Sequence, residues 1–472
     1  MAKATDIRIR EVSYDFEQHQ YRTPLKFGGV PTDHCILFNV RMTVETRDRK
    51  IGHGFGSMPL GNVWAFPPRH VPFDQSLAAM KILAAKAVAK LADHQLMAHP
   101  IDHTEVLEPI FLQLATEISS QMNLSVPIPK LCTAVTTSPI DAAIHDAFGH
   151  ANGINSYHGL SAEFMNHDLS HYLNSSQAGT AADQFQAQMF RGKYLDQYVL
   201  TTPQPRMPLY HLIGALDPLT DEDISEQLND GLPETLPEWI QADGLTHLKI
   251  KLNGQDLDWD VDRVLSIEAV TAETQAKRGV DHWYYSADFN ETCDDVEYLL
   301  AFLEKIRSGQ GDAFERLAYI EQPTDRDLKS HPENKMHEAA EIKPVVIDES
   351  LTDLETFLLA HEQGYSGVAL KACKGQSQAL LMGAVAQEYG MFLAVQDLTC
   401  PGASFLHSAG IAARVKGITA IEGNSRQFCP SANGGWSEQF PSIFQITDGT
   451  VGTHVLTGYG LGHNQDDANH PS

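Results

Sequence analysis

From about residue 208 the hydrophobic pattern settles into a rhythm. Eight short apolar runs recur, each followed by a helix-compatible stretch: PLYHLIGA, LTHLKIKL, HWYYSADFN, LAYIEQP, KPVVIDES, SGVALKA, MFLAVQD and ITAIEGN. Strand alternating with helix at this spacing predicts βα units and a parallel sheet. Eight such strands suffice to close a barrel. The first 130 or so residues read differently, as an α+β unit. DIRIREVSYDF alternates as a strand, HCILFNVRMTVET is a second strand, and GHGFGSMPLG reads as a glycine-rich turn region. The period becomes helical over FDQSLAAMKILAAKAVAKLADH. SPIDAAIHDAFGHANG predicts a further helix with Ser138 as N-cap, Pro139 in its first turn and a glycine stop. Residues 160–200 are polar and weakly periodic, compatible with an inserted helical excursion or a surface loop.

Within the runs, one strand poses a question. In HLKIKL, successive side chains alternate between faces, so His247, Lys249 and Lys251 share one face. Two neighbouring ammonium groups turned into a protein are costly unless negative charge lies close by. The other runs offer that charge. Their C-terminal ends carry Asp288, Glu321, Asp348 with Glu349, Lys371, Asp397 and Glu422, and Lys251 ends its own run. The C-terminal rim is where a barrel builds its active site. Any one polar residue there is ordinary loop polarity; acids on three successive strands, flanked by lysines on the strands before and after, are not. Asp288, Glu321 and Asp348 would converge into an all-oxygen site with no Cys or His, which suits Mg²⁺, with Mn²⁺ as a substitute. Lys249 would depress the pKa of Lys251 and make it a base near neutral pH. The plainer alternative is solvated strand ends with lysines that only neutralise an acidic rim.

Composition narrows the setting. A chain of 472 residues is long for one compact domain, so two are expected, one of them large. Hydrophobic residues at 42% and charged residues at 20% suit a globular protein with a sizeable core. No apolar run approaches the 18 or so residues of a membrane span, and MAKATDIRIREVSYDF has no apolar core of a secretory signal. The net charge of −27 would repel nucleic acid and anionic membranes. An anionic substrate must then be met by local positive charge or a metal ion. The six cysteines are scattered without a C-x-x-C pair, as expected of reduced thiols in a cytoplasmic protein.

Taken in order, Lys249-x-Lys251, Asp288-x-Asn290, IEQP around Glu321, DES from Asp348 to Ser350 and ALKACKG around Lys371 resemble the enolase superfamily. Within it, the chain resembles the lysine–lysine branch of the mandelate racemase and muconate-lactonizing enzymes, the branch that includes dipeptide epimerases. The resemblance covers essentially the whole chain. It implies an N-terminal α+β capping domain over residues 1–135, with 430–472 contributing, and a modified (β/α)₇β TIM barrel over 136–430. It implies that Asp288, Glu321 and Asp348 bind Mg²⁺ and that Lys251 and Lys371 form an acid/base pair on opposite faces of the substrate. Lys249 would be the supporting cation, with Asn290 and Glu349 behind the ligands. Lys374 competes with Lys371, which directly ends the apolar run GVAL and matches the family position. The shared chemistry is removal of the proton α to a carboxylate, with Mg²⁺ stabilising the enediolate. A homo-oligomer is also implied.

Substrate choice rests on departures from the family. Dipeptide epimerases carry Asp-x-Asp on the eighth strand to hold the substrate ammonium, whereas this chain has Glu422-x-Asn424, with Asp397 as a second candidate. YRTPLKFGG and GFGSMPLGNVWAF fit the two loops that close the site in this family, so Tyr21, Lys26, Phe27 and Trp64 are candidates for specificity, Trp64 by stacking on a cationic group. Racemisation or epimerisation of a small carboxylate such as an amino-acid derivative is the expected reaction. The alternative is a dehydratase, other lyase or cycloisomerase step at the same site, sugar acids included. A non-catalytic relative would have lost an acid or a lysine, and CPGASF is a poor match to the phosphate loop of a phosphate-binding barrel.

Overall fold

The structure is a computed structural model that describes residues 3–27, 30–67, 69–173 and 187–463, without the side chains of Lys26 and Phe27. The N-terminal part is an antiparallel sheet in the order β1 (Ile7–Phe27), β2 (Val30–Thr46), β3 (Ile51–Pro59). The β1–β2 register shifts between Gln20 and Leu25, where Pro24 has no N–H to give the ladder. Three helices, Phe73–Leu91, Pro100–Gln121 and Lys130–Asn152, accompany this sheet.

Two local expectations are corrected here. Residues 52–59 are not a turn but most of β3. Gly52, Gly54 and Gly56 alternate along it and share one face, which lies directly on the helix Lys130–Asn152. A Cβ at these positions would overlap the carbonyls of Ala147, Ala143 and Pro139 respectively. The glycines therefore serve close backbone approach, not turning. That helix also begins eight residues before Ser138, so Pro139 lies inside it. A proline cannot bond the carbonyl four residues back; Ser138 Oγ donates to that Val135 oxygen instead, at 3.0 Å. Gly153 ends the helix in the left-handed region, φ +65°.

All eight apolar runs become strands: β4 (Met207–Ile213), β5 (His247–Lys251), β6 (Tyr284–Asp288), β7 (Leu317–Glu321), β8 (Val345–Ile347), β9 (Gly367–Leu370), β10 (Phe392–Val395) and β11 (Ile421–Glu422). Each is parallel to the next, and β11 pairs back onto β4, so the barrel is closed. A short strand, β12 (Thr450–Val451), runs antiparallel beside the start of β4. The helix Lys130–Asn152 passes without a break through residue 135. The C-terminal segment touches both parts of the molecule: β12 lies on the barrel, and the Trp436 ring stacks on Phe55 of β3 with centroids 6.0 Å apart. Asp146 ties the two ends of the chain, accepting from Phe55 N at 2.9 Å and Leu461 N at 2.8 Å. The described part of the 160–200 stretch is mostly irregular and is anchored by buried Leu160, Met165, Leu169, Leu173, Phe190 and Leu195. Among the described residues no helix is long and apolar enough to cross a membrane.

The glycine face of β3 gives a direct test. Gly56→Ala is expected to destabilise the protein by about 3 kcal/mol, at the upper end of overpacking costs, because the added methyl meets backbone that cannot move without the helix. Urea unfolding of the variant beside the parent protein measures it.

Candidate active site

Alternation decides which side chains meet inside the barrel. Tyr210, Tyr319, Val346, Ala369, Ala394 and Ala420 form one buried cluster. Two residues further along the last five strands, on the same inward face, stand Glu321, Asp348, Lys371, Gln396 and Glu422, all buried. Lys251 is in register with Asp288, and Asp288 with Glu321. The acids and lysines singled out in the sequence are thus brought together at the C-terminal mouth.

Lys249 sits at the centre, 1% exposed. Its Nζ lies 2.9 Å from Asp288 Oδ2, 2.8 Å from Glu321 Oε2 and 2.8 Å from Glu422 Oε2. Burial alone would lower its pKa; the three carboxylates outweigh burial and raise it well above the ordinary lysine value. Lys249 is a fixed cation whose charge is offset by three acids, the nearby negative charge that the lysine pair required. Lys251 Nζ donates to Asp288 Oδ2 and, at 2.8 Å, to Asn290 Oδ1.

Across the acid row, Lys371 Nζ lies 2.7 Å from Asp348 Oδ2 and Lys374 Nζ 3.0 Å from Asp348 Oδ1. Lys374 also donates to the Asp348 backbone carbonyl, so both lysines of ALKACKG reach the same acid. Glu349 is out of phase with Asp348 and turns away; its Oε1 accepts from Trp64 Nε1 at 2.8 Å and from Asn290 Nδ2 at 3.3 Å. The Trp64 ring lies 4.5 Å from Lys371 Nζ and 5.7 Å from Lys374 Nζ. The cations over Trp64 are therefore the protein's own.

The remaining sequence candidates divide. Tyr21 packs with Leu25, Leu212 and Phe428 at the mouth. Glu422 is engaged by Lys249. Asn424 is buried, and its Oδ1 has no hydrogen-bond partner among the described residues. The side chains of Lys26 and Phe27 lie outside the described part. The Asp397 carboxylate accepts from Thr399 N at 3.2 Å and Cys400 N at 3.1 Å, bracing its own turn. The inward position on β10 belongs to Gln396, whose Nε2 donates to Glu321 Oε2. Gln396 was missed in the sequence, although it stands two residues after Ala394 and was in phase for the interior. A cavity of about 330 Å³ adjoins this cluster, lined by Val30, Trp64, Asn290, Thr292, Arg326 and Glu349 among others.

The charges do not balance. Lys249, Lys251, Lys371 and Lys374 face Asp288, Glu321, Asp348, Glu349, Asp397 and Glu422, all buried; with every group ionised that is 4 − 6 = −2. The excess is felt locally. Burial, then the charges of Asp288 and Asp348, raise the pKa of Glu321 well above the ordinary value. Burial and then Asp348 push Glu349 up to about 7, and burial and then Glu422 push Asp397 up to about 7. Among the described residues no three His, Cys, Asp or Glu side chains are posed around a common metal position, because each acid is turned onto an ammonium group. The donor set nevertheless fits a hard divalent cation: carboxylates stand on three adjacent strands, and the buried acids outnumber the lysines that face them.

Residues 232–469, just over half of the chain, match the model of the family described as enolase C-terminal domain-like, and the chain belongs to that family. Among solved structures it resembles a dipeptide epimerase from Enterococcus faecalis complexed with Mg and L-Leu-L-Tyr (TM-score 0.61, 14% identity, 96% of this chain and 99% of that one). It also resembles a muconate lactonizing enzyme from Pseudomonas fluorescens complexed with muconolactone (0.59, 16%, 98% and 98%). An enolase from Pseudomonas fluorescens with bound magnesium, potassium and tartrate is similar in fold too (0.59, 14%, 98% and 91%). At these identities the likeness is one of fold. No curated protein matches the chain in sequence.

Removing the central cation tests the charge argument. Lys249→Met is expected to cost about 3–5 kcal/mol, the range for breaking a buried ion pair from one side. Millimolar Mg²⁺ should recover part of that loss, read as the urea midpoint with and without the ion.

Proposed function

We propose that the protein is a Mg²⁺-dependent enzyme that moves the proton α to the carboxylate of a small-molecule acid, and that the reaction is a racemisation or epimerisation. One observation carries this reading: Lys251, ending β5, and Lys371, following β9, stand on opposite sides of the acid row on β6, β7 and β8. Two bases facing one carbon from opposite sides are what inversion needs, since one removes the proton and the other returns a proton to the far face. Asp288, Glu321 and Asp348 would hold Mg²⁺, which supplies positive charge where negative charge develops on the substrate carboxylate. Lys249 keeps the acids gathered, and Gln396 fixes the orientation of Glu321. Asn290 holds Lys251, while Trp64 braces Lys371. The 330 Å³ cavity beside Trp64 and Glu349 would receive the rest of the substrate.

Fold likeness to a Mg-bound dipeptide epimerase supports a carboxylate substrate and the metal. Likeness to a muconate lactonizing enzyme supports a second reading, in which a β leaving group departs or a lactone ring opens at the same site.

The test is proton exchange. The protein is incubated with Mg²⁺ in D₂O and pooled amino-acid derivatives, dipeptides and sugar acids, then followed by proton NMR and mass spectrometry. One acid should gain α-deuterium with its formula otherwise unchanged, and chelation of the metal should stop the exchange. Lys251→Ala and Lys371→Ala should each lower inversion at least about 100-fold, each sparing exchange from the face it does not serve. Loss of water from the acid would select the lyase reading. No Mg²⁺ binding by calorimetry would reject both.

A further inference from the structure

The hairpin β1–β2 meets the barrel through the Arg22–Asp230 ion pair and through an apolar patch beside which two thiols meet. Leu25, near the end of β1, packs with Leu212 of β4 and with Phe428, and Tyr21 packs against them. Cys35 of β2, opposite His19 in the hairpin register, reaches Cys429, the residue after the helix Ser425–Phe428. The sulfurs are 3.7 Å apart although the residues are 394 apart in sequence. Both side chains are buried and both cysteines are free.

We propose that Cys35 and Cys429 form a reversible dithiol–disulfide switch that staples the hairpin to the barrel. The geometry needs little change, because the sulfurs have to close by under 2 Å to reach a bond of about 2.05 Å. The chemistry is already divided between the two. The Cys35 thiol donating to the Cys429 sulfur holds Cys429 below the ordinary thiol range, and His19 adds to this against the effect of burial. Cys429 is then the resolving thiol, which closes the bond onto an oxidised Cys35, since the thiolate is the reactive form.

Access is narrow. Cys35 borders a cavity of about 30 Å³ shared with Tyr21, Trp64 and Leu398, room for a water-sized molecule. The oxidant that fits is therefore a small hydroperoxide, hydrogen peroxide itself, rather than a bulky disulfide. Cys35 sulfur, which borders the cavity, attacks one peroxide oxygen; the O–O bond breaks, the other oxygen leaves as water with the Cys35 proton, and a sulfenic acid remains at Cys35. Cys429 sulfur then attacks that sulfur, the S–S bond forms, and the hydroxyl leaves as a second water with the Cys429 proton. Two thiols lose two electrons and two protons, and one peroxide becomes two waters.

The bond would tie β2 to the segment that directly follows Glu422 and Asn424, so the hairpin could no longer lift from the mouth. The inference stands independently of the reaction proposed above, because its readouts need no substrate. The folded full-length protein is titrated with hydrogen peroxide, quenched with catalase, alkylated and digested without reductant. The expected result is a peptide pair joining Cys35 to Cys429, two hydrogens lighter than the separate peptides and released by dithiothreitol. With it should come a Tm higher by roughly 5 °C and slower amide exchange across β1 and β2. Cys429→Ser and Cys35→Ala should each abolish all three changes. The proposal is overturned if peroxide leaves the pair reduced while the protein stays folded, if Cys35 proceeds to sulfinic acid without a cross-link, or if Cys35 pairs with Cys400 instead. Should either variant fail to fold, the mass of the wild-type cross-link decides alone.

Discussion

Carboxylates on neighbouring strands of a closed barrel are tolerated only if positive charge is buried with them. At this mouth the requirement is met by lysines that belong to the same layer of the barrel. Lys249 reaches acids on β6, β7 and β11, so it spans the interior instead of following one strand. Lys371 and Lys374 do the same work at Asp348 from one turn of chain. The strands themselves are set by ladder hydrogen bonds that owe nothing to these charges. Scaffold and charge are thus separable: the barrel would close without the acids, but the acids would not remain ionised in the barrel without the lysines.

The N-terminal part supplies what the barrel lacks, a hydrogen-bond donor for Glu349 and an aromatic face for Lys371. One indole does both, since Trp64 gives its N–H to Glu349 and its face to Lys371. Its position depends on β3 lying flat against the helix Lys130–Asn152, and that depends on the three alternating glycines. A small-residue stripe some ten residues upstream thereby bears on the neighbourhood of a lysine more than 300 residues downstream.

The barrel was legible because its strands are buried on both faces and read as continuous apolar runs. The convergence of Asp288, Glu321, Asp348, Lys251 and Lys371 was legible for the same reason, since each stands at the end of such a run. What was misread has physical causes. Glycines at 52, 54 and 56 signal turns by composition, but their period of two was the better guide to a strand under a helix. Pro139 looked like a helix start because the compensating hydroxyl of Ser138 can be seen only once the helix is there. Gln396 was passed over because it is neutral, although the inward phase on β10 is its own. The meeting of Cys35 with Cys429 left no trace in local pattern, because nothing local brings residues so distant together.

Asp146 carries an implication for the order in which the molecule can be made. One of its oxygens holds Phe55 and the other holds Leu461, so the N-terminal layer shares a carboxylate with almost the last residue described. On a ribosome the first sheet emerges long before that partner does, and until then a buried acid waits with half of its hydrogen bonds. The N-terminal unit therefore cannot reach its final packing as an early, independent step of synthesis. Completion waits until residue 461 has emerged, which places the slow closure of these long-range contacts late in folding.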